Sequence, residues 1–308
     1  MTRASSPASG AALETAVGSV TLPAPVMTAS GTAGHGTELA AYGPLGTLGA
    51  VVVKSLAAEP WPGNPAPRVH PAAGGGMVNH VGLQGPGVPA WRDEDLPGLV
   101  ARGARVVASI WGRTVEEFEK AAALLAGAPG VVAVEVNVSC PNVEDRSRMF
   151  AHSAAATAEA VAAAGAAGVP RWAKLSPNVA DVCEIAGAAL GAGAEAVTLV
   201  NTLLAAGVDV ESRVAWAGGL SGPPLHPVAV RAVRDCRRAF PEAGIVGVGG
   251  VASGRDAVEL LLAGADAVQV GTATFADPRA PWRVQAGVAR WCRRHATTVR
   301  EVVGGAAG

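Results

Sequence analysis

Two stretches of the chain follow one pattern: residues 192–200 read AGAEAVTLV and residues 263–271 read AGADAVQVG. Each copy has the small residues of a helix end, a glycine turn and then a short apolar run. Apolar runs of this length, bounded by turn residues, are typical of strands buried on both faces of a parallel sheet. The repeat therefore predicts a recurring unit of helix, turn and buried strand.

Short runs of the same kind recur along the chain, separated by longer segments rich in Ala, Leu and Glu. They predict eight strands, at 25–29, 50–54, 105–110, 131–138, 171–175, 196–201, 244–249 and 267–270. Eight strands alternating with helices over about 250 residues are typical of a (β/α)8 barrel. The alternative, an open doubly wound sheet, is disfavoured because no Gly-x-Gly-x-x-Gly follows the first strand. We therefore predict an α/β TIM barrel, a single domain over 1–308, with 1–20 as a loosely ordered segment.

The composition excludes several classes of protein. Lys+Arg total 24 and Asp+Glu total 25, so the net charge is 24 − 25 = −1, which argues against a nucleic-acid binder. Hydrophobic residues make up 50%, so the chain can bury a large core. The sequence shows no Cys-x-x-Cys pair, no signal peptide and no apolar run near the ~20 residues of a membrane span. We expect a cytoplasmic protein that binds neither membranes nor nucleic acid.

Three long connections follow predicted strands, at 55–104, 139–152 and 202–225. In a barrel, the connections that leave the carboxyl ends of the strands build the active-site face. Candidate functional residues are therefore expected in these loops and at the strand ends beside them.

One candidate is Cys140, in the sequence NVSCPN at 137–142. A cysteine between polar residues, followed by a proline turn, is expected on a loop and not in a core. Such a thiol can act as a nucleophile or, when deprotonated, as a general base. The alternative is a small buried residue in a tight turn. Two lysines, Lys54 and Lys174, end predicted strands in a chain with few lysines. Together they favour an anionic ligand over two solvated side chains at the rim of the sheet.

Glycines and amides complete the set of candidates. The motifs GVGG at 247–250, with Gly249 and Gly250, and GT at 271–272, with Gly271 and Thr272, lie at the ends of the seventh and eighth strands, where barrels commonly bind phosphate through backbone N–H groups. The alternative for these glycines is simple turn chemistry. Amide side chains both donate and accept hydrogen bonds, which suits a planar polar ring with imide edges. Four such residues, with Thr202 beside the last, fall at strand ends or in the long loops: Asn79, Asn137, Asn142 and Asn201.

In combination, the motifs around these residues resemble the class 1 dihydroorotate dehydrogenases. The motifs cover roughly residues 20–280 and keep the order of the family. They are MTASG at 27–31, VVKS at 52–55, GNPAPR at 63–68, NHVGLQ at 79–84, NVSCPN at 137–142, KLSPN at 174–178, NT at 201–202, GGLSGP at 218–223, GG at 249–250 and GT at 271–272. The GLQ at 82–84 looks more like class 1B than class 1A.

The resemblance implies a barrel with FMN at its C-terminal face that oxidises (S)-dihydroorotate to orotate in pyrimidine (UMP) synthesis. By matching position, Cys140 is the general base for the C5 proton, the C6 hydride passes to N5 of FMN, and Lys174 stabilises the anionic reduced flavin. The implied substrate residues are Lys54, Asn79, Gly82, Leu83, Asn137, Asn142, Asn201 and Thr202. The implied FMN residues are Ser30, Lys54, Ser55, Ser109, Asn137, Lys174, Val200, Gly222, Gly249, Gly250, Gly271 and Thr272. No metal site is expected, because the histidines lack ligand spacing.

The sequence departs from the family pattern at three places. Ser109 stands where the family usually has Asn, Trp111 is unusually bulky, and the loop at 143–152, expected as a lid over Cys140, is more charged. Other functions therefore stay open. They are a flavin enzyme for a related dihydropyrimidine, a non-catalytic flavin-binding barrel subunit, and a phosphate-binding isomerase without flavin.

The electron acceptor is a further expectation. Class 1B resemblance implies a separate subunit with FAD and an iron–sulfur cluster that passes electrons to NAD. This chain has no cysteine cluster and no dinucleotide fingerprint, so that chemistry would need another chain. Fumarate and a quinone are the alternative electron acceptors, which would reoxidise the flavin directly. A homodimer or a heterotetramer is expected.

Overall fold

The computed structural model of the chain describes residues 13–142 and 148–306. The strands within these ranges, in chain order, are β1 (Thr15–Val17), β2 (Val20–Leu22), β3 (Val26–Thr28), β4 (Val51–Val52), β5 (Val69–Ala72), β6 (Gly76–Asn79), β7 (Val106–Ile110), β8 (Val131–Asn137), β9 (Pro141–Asn142), β10 (Arg148–Met149), β11 (Arg171–Leu175), β12 (Ala196–Leu199), β13 (Leu203–Val208), β14 (Ala215–Ser221), β15 (Gly244–Val248) and β16 (Ala267–Val270).

Eight of these strands form one parallel sheet that curves into a barrel. Their order is β3-β16-β15-β12-β11-β8-β7-β4, so each strand lies beside its neighbours in the chain. The two end strands meet where the Thr28 hydroxyl accepts a hydrogen bond from the Val52 N–H (2.8 Å) and donates to the Val52 carbonyl (3.2 Å). The eight predicted strands and the (β/α)8 barrel are confirmed, and the doubly wound sheet is excluded.

Helices connect the barrel strands on the outside. Within the described ranges they are α1 (Val88–Glu94), α2 (Leu96–Ala101), α3 (Val115–Leu125), α4 (Ala154–Ala163), α5 (Val182–Gly191), α6 (His226–Ala239), α7 (Gly254–Ala263), α8 (Ala273–Ala276), α9 (Ala280–His295) and α10 (Val299–Val302). The first connection, from β3 to β4, contains two 3₁₀ turns instead of an α-helix. None of the described helices is long and apolar enough to cross a membrane.

Local sequence sets the helix ends. The Ser253 side chain accepts from the Asp256 N–H, and the Asp256 carboxylate accepts from the Ser253 N–H, so α7 begins with a capping box. Gly264 follows its last residue with φ +123°, a conformation that glycine adopts without steric cost. Losing such a cap costs about 1 kcal/mol of stability, and α7 is the helix that leaves the candidate phosphate turn after β15.

The bottom of the barrel is closed by the hairpin of β1 and β2. Val17, Val20 and Leu22 of this hairpin pack against Met27 and Trp172 inside the barrel. Full burial of side chains of this size contributes roughly 1.5–3 kcal/mol each. The expectation of a loosely ordered segment at 1–20 is therefore wrong for residues 15–20, because their apolar side chains close the barrel core. Residues 1–12 lie outside the described part of the chain.

Two of the long loops fold into a second sheet above the barrel. The loop after β4 contributes the hairpin β5–β6, and the loop after β12 contributes the hairpin β13–β14. The strand order is β13-β14-β6-β5, all antiparallel, with Gly219 paired to Asn79 where the hairpins meet. The long connections thus lie at the carboxyl ends of the barrel strands, as predicted. The sheet itself was not predicted from the sequence.

Candidate active site

A cavity of about 780 Å³ opens at the carboxyl ends of the barrel strands, between the barrel and the four-stranded sheet. Most of the residues predicted from the sequence line it. These are Ser30, Lys54, Ser55, Asn79, Gly82, Leu83, Asn137, Lys174, Val200, Asn201, Thr202, Gly222, Gly249, Gly250, Gly271 and Thr272. The tertiary structure therefore brings together residues that are up to 242 positions apart, counting from Ser30 to Thr272.

The two predicted lysines lie in this same cavity. Burial lowers the pKa of Lys54, and the nearby positive charges of Arg68 and Lys174 lower it further. A bound anion stabilises a half-buried ammonium in this situation, because the opposite charge offsets the hydration that the ammonium loses on burial. The observed position of both lysines supports an anionic ligand over the alternative of solvated rim residues.

Lys174 belongs to a buried polar cluster that crosses the barrel interior. Its Nζ donates to Gln269 Oε1 (3.3 Å) and lies 3.4 Å from Glu135 Oε1. Gln269 Nε2 in turn donates to Glu135 Oε2 (2.6 Å). The side chains of Lys174 and Glu135 are only 7% and 0% exposed, so the carboxylate neutralises the lysine without solvent. The ammonium is held at one position at the cavity floor.

Sequence reasoning missed Glu135 and Gln269. The signal was present, since each is a polar residue inside an otherwise apolar barrel strand. In β8 the residues at 133, 135 and 137 share one face, because strand side chains alternate. Ala133 packs in the barrel interior, which places Glu135 and Asn137 above it on the same inward face. A carboxylate at such a position needs a partner, and Lys174 supplies it.

The cavity wall at Ser55 is a chain of hydrogen bonds. Ser55 Oγ lies 3.1 Å from Ser30 Oγ and 2.9 Å from Ser109 Oγ, and it accepts from Asn137 Nδ2 (3.2 Å). Asn201 Nδ2 donates to Asn137 Oδ1 (3.1 Å). Ser109 is fully buried behind Ser55 and does not line the cavity. Its predicted contact with a flavin stays a prediction.

Thr202 and Asn79 are placed by contacts with residues of other loops. Asn178, also at the cavity wall, donates to the Thr202 carbonyl (3.0 Å) and accepts from the Leu204 N–H (2.8 Å). Asn79 Nδ2 donates to the Gly219 carbonyl (3.3 Å), which joins the two hairpins of the upper sheet. Asn79, Asn137 and Asn201 therefore line one cavity together, as expected.

At the other end of the cavity, four glycines form a corner that we call the glycine cradle: Gly222, Gly249, Gly250 and Gly271. Three have positive φ, at +88°, +139° and +68° for Gly222, Gly249 and Gly250. A Cβ on Gly249 would lie 2.8 Å from Ala229 Cβ. Among the described residues, no hydrogen bond from the N–H of Gly222 or Gly250 to a protein acceptor is seen. Unpartnered N–H groups in a corner without side chains suit a phosphate group.

Cys140 is placed differently from the expectation. It follows β8 on a turn, but it is 0% exposed, packs in the main hydrophobic core and does not line the cavity. Its Sγ donates toward the carbonyls of Gly112 (3.1 Å) and Asn137 (3.2 Å). Burial raises the pKa of the Cys140 thiol to about 12. The prediction of a loop thiol outside the core is wrong, because the chain after Cys140 folds back over it at Phe150.

The loop beyond Cys140 is described only in part. The backbone of Asn142 lies in β9, which pairs with β10 in a short antiparallel hairpin. The predicted substrate contact of the Asn142 side chain and the charged residues 143–147 lie outside what the structure describes. The predicted lid function of this loop stays a prediction. Trp111 is buried and packs edge-on against Trp61, with ring centroids 5.6 Å apart.

The groups that line the cavity determine which ligands it can bind. One end of the cavity offers an ammonium and several amides, which suit a small planar ring with a carboxylate. The opposite end offers the glycine cradle, which suits a phosphate. Lys174 also lines the cavity, where it can stabilise negative charge that develops on a bound group.

Comparisons with known proteins agree with this site. The family model described as dihydroorotate dehydrogenase matches residues 12–291. The catalytic subunit of dihydroorotate dehydrogenase B (NAD(+)) from Desulforudis audaxviator is 45% identical over 297 residues, 94% of this chain and 96% of that protein. The subunit with the same name from Pelobacter propionicus is 43% identical over 286 residues, 91% and 93% of the two chains. That from Geobacter sp. strain M21 is 42% identical over 288 residues, 92% and 94%.

Proposed function

The chain belongs to the dihydroorotate dehydrogenase family, and on that premise we propose that it is a flavin-dependent catalytic subunit that oxidises (S)-dihydroorotate to orotate in pyrimidine biosynthesis. The observation that carries the proposal is one cavity with an anion-binding end at Lys54 and a phosphate-binding end at the glycine cradle. A phosphate-binding isomerase would leave the converging lysines and amides without a purpose.

The flavin is proposed to be FMN. FMN carries one terminal phosphate, and the glycine cradle offers one corner without side chains, where the N–H groups of Gly222 and Gly250 have no acceptor among the described residues. Lys174 is proposed to hold the pyrimidine end of the isoalloxazine. The edge of the isoalloxazine is proposed to contact Ser30, Ser55 and Val200. When bound, the flavin supplies the acceptor for the hydride that leaves C6 of the substrate.

The substrate is proposed to lie against the amide end of the cavity. Lys54 binds its carboxylate, and the amides of Asn79, Asn137 and Asn201 bind the edges of its ring. Each amide can donate to a ring carbonyl or accept from a ring N–H. Gly82, Leu83 and Thr202 complete the wall on that side.

We propose that Cys140 acts as the general base and removes the C5 proton of the substrate. In the described conformation the thiol donates to two carbonyls and is shielded from the cavity. It must therefore lose its proton and gain access to C5 when substrate binds. Movement of the turn at 139–142 is the shortest route, because Ser139 already lines the cavity beside it.

An anaerobic titration of the purified chain with (S)-dihydroorotate tests the proposed function. We expect the oxidised flavin absorbance to bleach stoichiometrically, because substrate oxidation must reduce a bound flavin. A yellow protein that fails to bleach with dihydroorotate but bleaches with a related dihydropyrimidine would move the assignment to that substrate. A yellow protein that bleaches with neither would favour the non-catalytic subunit, and a chain that binds no flavin would overturn the proposal.

We propose that a partner chain carries electrons from the reduced flavin to NAD. Several relatives are named as catalytic subunits of enzymes that use NAD(+). The four cysteines of this chain are free thiols. We propose a separate subunit with FAD and an iron–sulfur cluster, in a heterotetramer built on a homodimer of this chain, and a cytoplasmic location. The isolated chain is then expected to reduce artificial dyes but not NAD.

Lys54→Met is expected to raise the KM for dihydroorotate roughly 10- to 100-fold, with a smaller effect on kcat. A hydrogen bond to a charged group contributes about 1.5–3 kcal/mol, and methionine keeps the volume without the charge. The matched control is Lys120→Met, since Lys120 pairs with Glu59 on the surface. Steady-state kinetics with a dye acceptor measure both. An unchanged KM in Lys54→Met would remove Lys54 from the carboxylate site.

Gly250→Ala is expected to weaken FMN binding by roughly 30-fold or more, through lost hydrogen bonds of about 1.5–3 kcal/mol each. The new Cβ would lie 2.7 Å from His226 Cβ and 3.0 Å from the Gly222 carbonyl, so the cradle must shift. The matched control is Gly103→Ala, which has nearly the same φ (+67° against +68°) and no atom within 4 Å. Both variants carry the same backbone strain, but only Gly250→Ala is expected to lose FMN. Equal FMN affinity in the two would contradict the cradle as the phosphate site.

A further inference from the structure

His226 stands directly behind the glycine cradle, at the first residue of α6. Its Nδ1 lies 2.8 Å from the Gly249 carbonyl oxygen. Because a carbonyl oxygen only accepts, Nδ1 must carry the proton in this contact. The other ring nitrogen, Nε2, lies 3.4 Å from Glu259 Oε2 on α7, and the imidazole is only 13% exposed. The ring thus joins the start of α6 to the turn after β15.

The contact determines the direction of one peptide group. A trans peptide is planar, so its carbonyl and its N–H point in opposite directions. The imidazole holds the carbonyl of the Gly249–Gly250 peptide on the protein side. The N–H of Gly250 in the same plane therefore points away from the ring, toward the cavity that Gly250 lines.

Nothing else described holds this peptide in place. With φ of +139° and +68°, Gly249 and Gly250 have the widest conformational freedom of any residue type. The Gly249 carbonyl has no described hydrogen-bond donor other than His226. A flexible diglycine that presents an N–H to a ligand loses entropy on binding unless it is already oriented.

We propose that His226 is a positioning residue that pre-orients the Gly249–Gly250 peptide for the phosphate of the cofactor. This inference rests on the proposed FMN site and adds to it a residue outside the cavity wall. His226 touches neither the flavin nor the substrate. Its effect is confined to the phosphate end, because its ring contacts the turn after β15 and not the lysines or amides.

The test compares FMN with riboflavin, which lacks the phosphate. Full-length wild type, His226→Ala, His226→Asn and His226→Leu are loaded with either flavin, and the dissociation constants are measured from the fluorescence of released flavin. Asn is the conservative variant, because its Nδ2 occupies nearly the position of the imidazole Nδ1. Leu fills the volume without a donor and replaces Ala if Ala does not fold. His295→Ala, a solvent-exposed histidine stacked on Trp291, is the control.

We expect His226→Ala and His226→Leu to weaken FMN binding about 10-fold and to leave riboflavin binding unchanged, with Asn close to wild type. An equal loss for both flavins would overturn the proposal, since a general structural role would not distinguish the phosphate. If His226→Asn lost as much FMN affinity as His226→Leu, the proposal would also be overturned, because the hydrogen bond to the Gly249 carbonyl would then not matter for FMN binding. A wild type that binds riboflavin as tightly as FMN would instead contradict the proposed FMN site, independently of His226.

Discussion

Cys140→Ser is expected to slow reduction of the bound flavin by dihydroorotate by about 10²–10⁴-fold, the usual contribution of a positioned general base. A serine hydroxyl is a far weaker base than a thiolate at any pH that the protein tolerates. FMN content and substrate affinity are expected to stay near those of the wild type, because the Cys140 side chain does not line the cavity.

The burial of Cys140 adds a pH dependence to this prediction. Burial raises the pKa of the thiol to about 12, so the thiol is protonated at neutral pH. The active base is the thiolate, and its fraction rises about tenfold per pH unit below the pKa. The wild-type rate of flavin reduction is therefore expected to rise between pH 7 and 10 without a plateau. The slow rate of Cys140→Ser is expected to lack this dependence.

Anaerobic stopped-flow measurement of flavin bleaching, at several pH values, checks both expectations. Cys292→Ser is the matched control, since Cys292 is an equally buried free thiol in α9. It is expected to react like the wild type. A fast Cys140→Ser near neutral pH would exclude Cys140 as the base. A plateau near pH 8.5 in the wild type would show that Cys140 ionises only after its turn has moved it out of the buried position.

Lys174→Met is expected to destabilise the protein by about 3–5 kcal/mol and to abolish tight flavin binding. The substitution leaves the Glu135 carboxylate, which is 0% exposed, without its cation, and an uncompensated buried charge carries that cost. It also removes the ammonium from the cavity floor, where we place the pyrimidine end of the flavin. Denaturant unfolding and flavin content measure the two effects.

The double variant Lys174→Met with Glu135→Gln separates the two effects. With no buried charge left, most of the lost stability is expected to return, while flavin binding stays weak because the cation is still absent. Contacting residues of this kind are expected to show a coupling energy well above the error of the measurement. Equal stability of the single and double variants would mean that the carboxylate is not the cause. Full flavin binding in either variant would contradict the role of Lys174.

Much of this architecture was predictable from local sequence. Strands such as β15 and β16 are short, mainly apolar runs between turn residues. They are buried on both faces, as that sequence pattern predicts. The glycines and lysines at the strand ends were predictable for a related reason. Parallel barrel strands all end on one face, so their chain positions alone place them together.

The sequence by itself therefore determined the barrel and the face that carries the site, and most of the site residues that it predicted line the cavity. The tertiary structure alone decided three other features. The hairpins after β4 and β12 pair only because the barrel brings two distant loops together, as Gly219 meets Asn79. Glu135 finds Lys174 and Gln269 across the interior, on three different strands. Cys140 is buried in the same hydrophobic cluster as Phe150, whose N–H donates to the Cys140 carbonyl. Contacts between distant segments leave no periodic signal in the chain, and burial depends on such contacts.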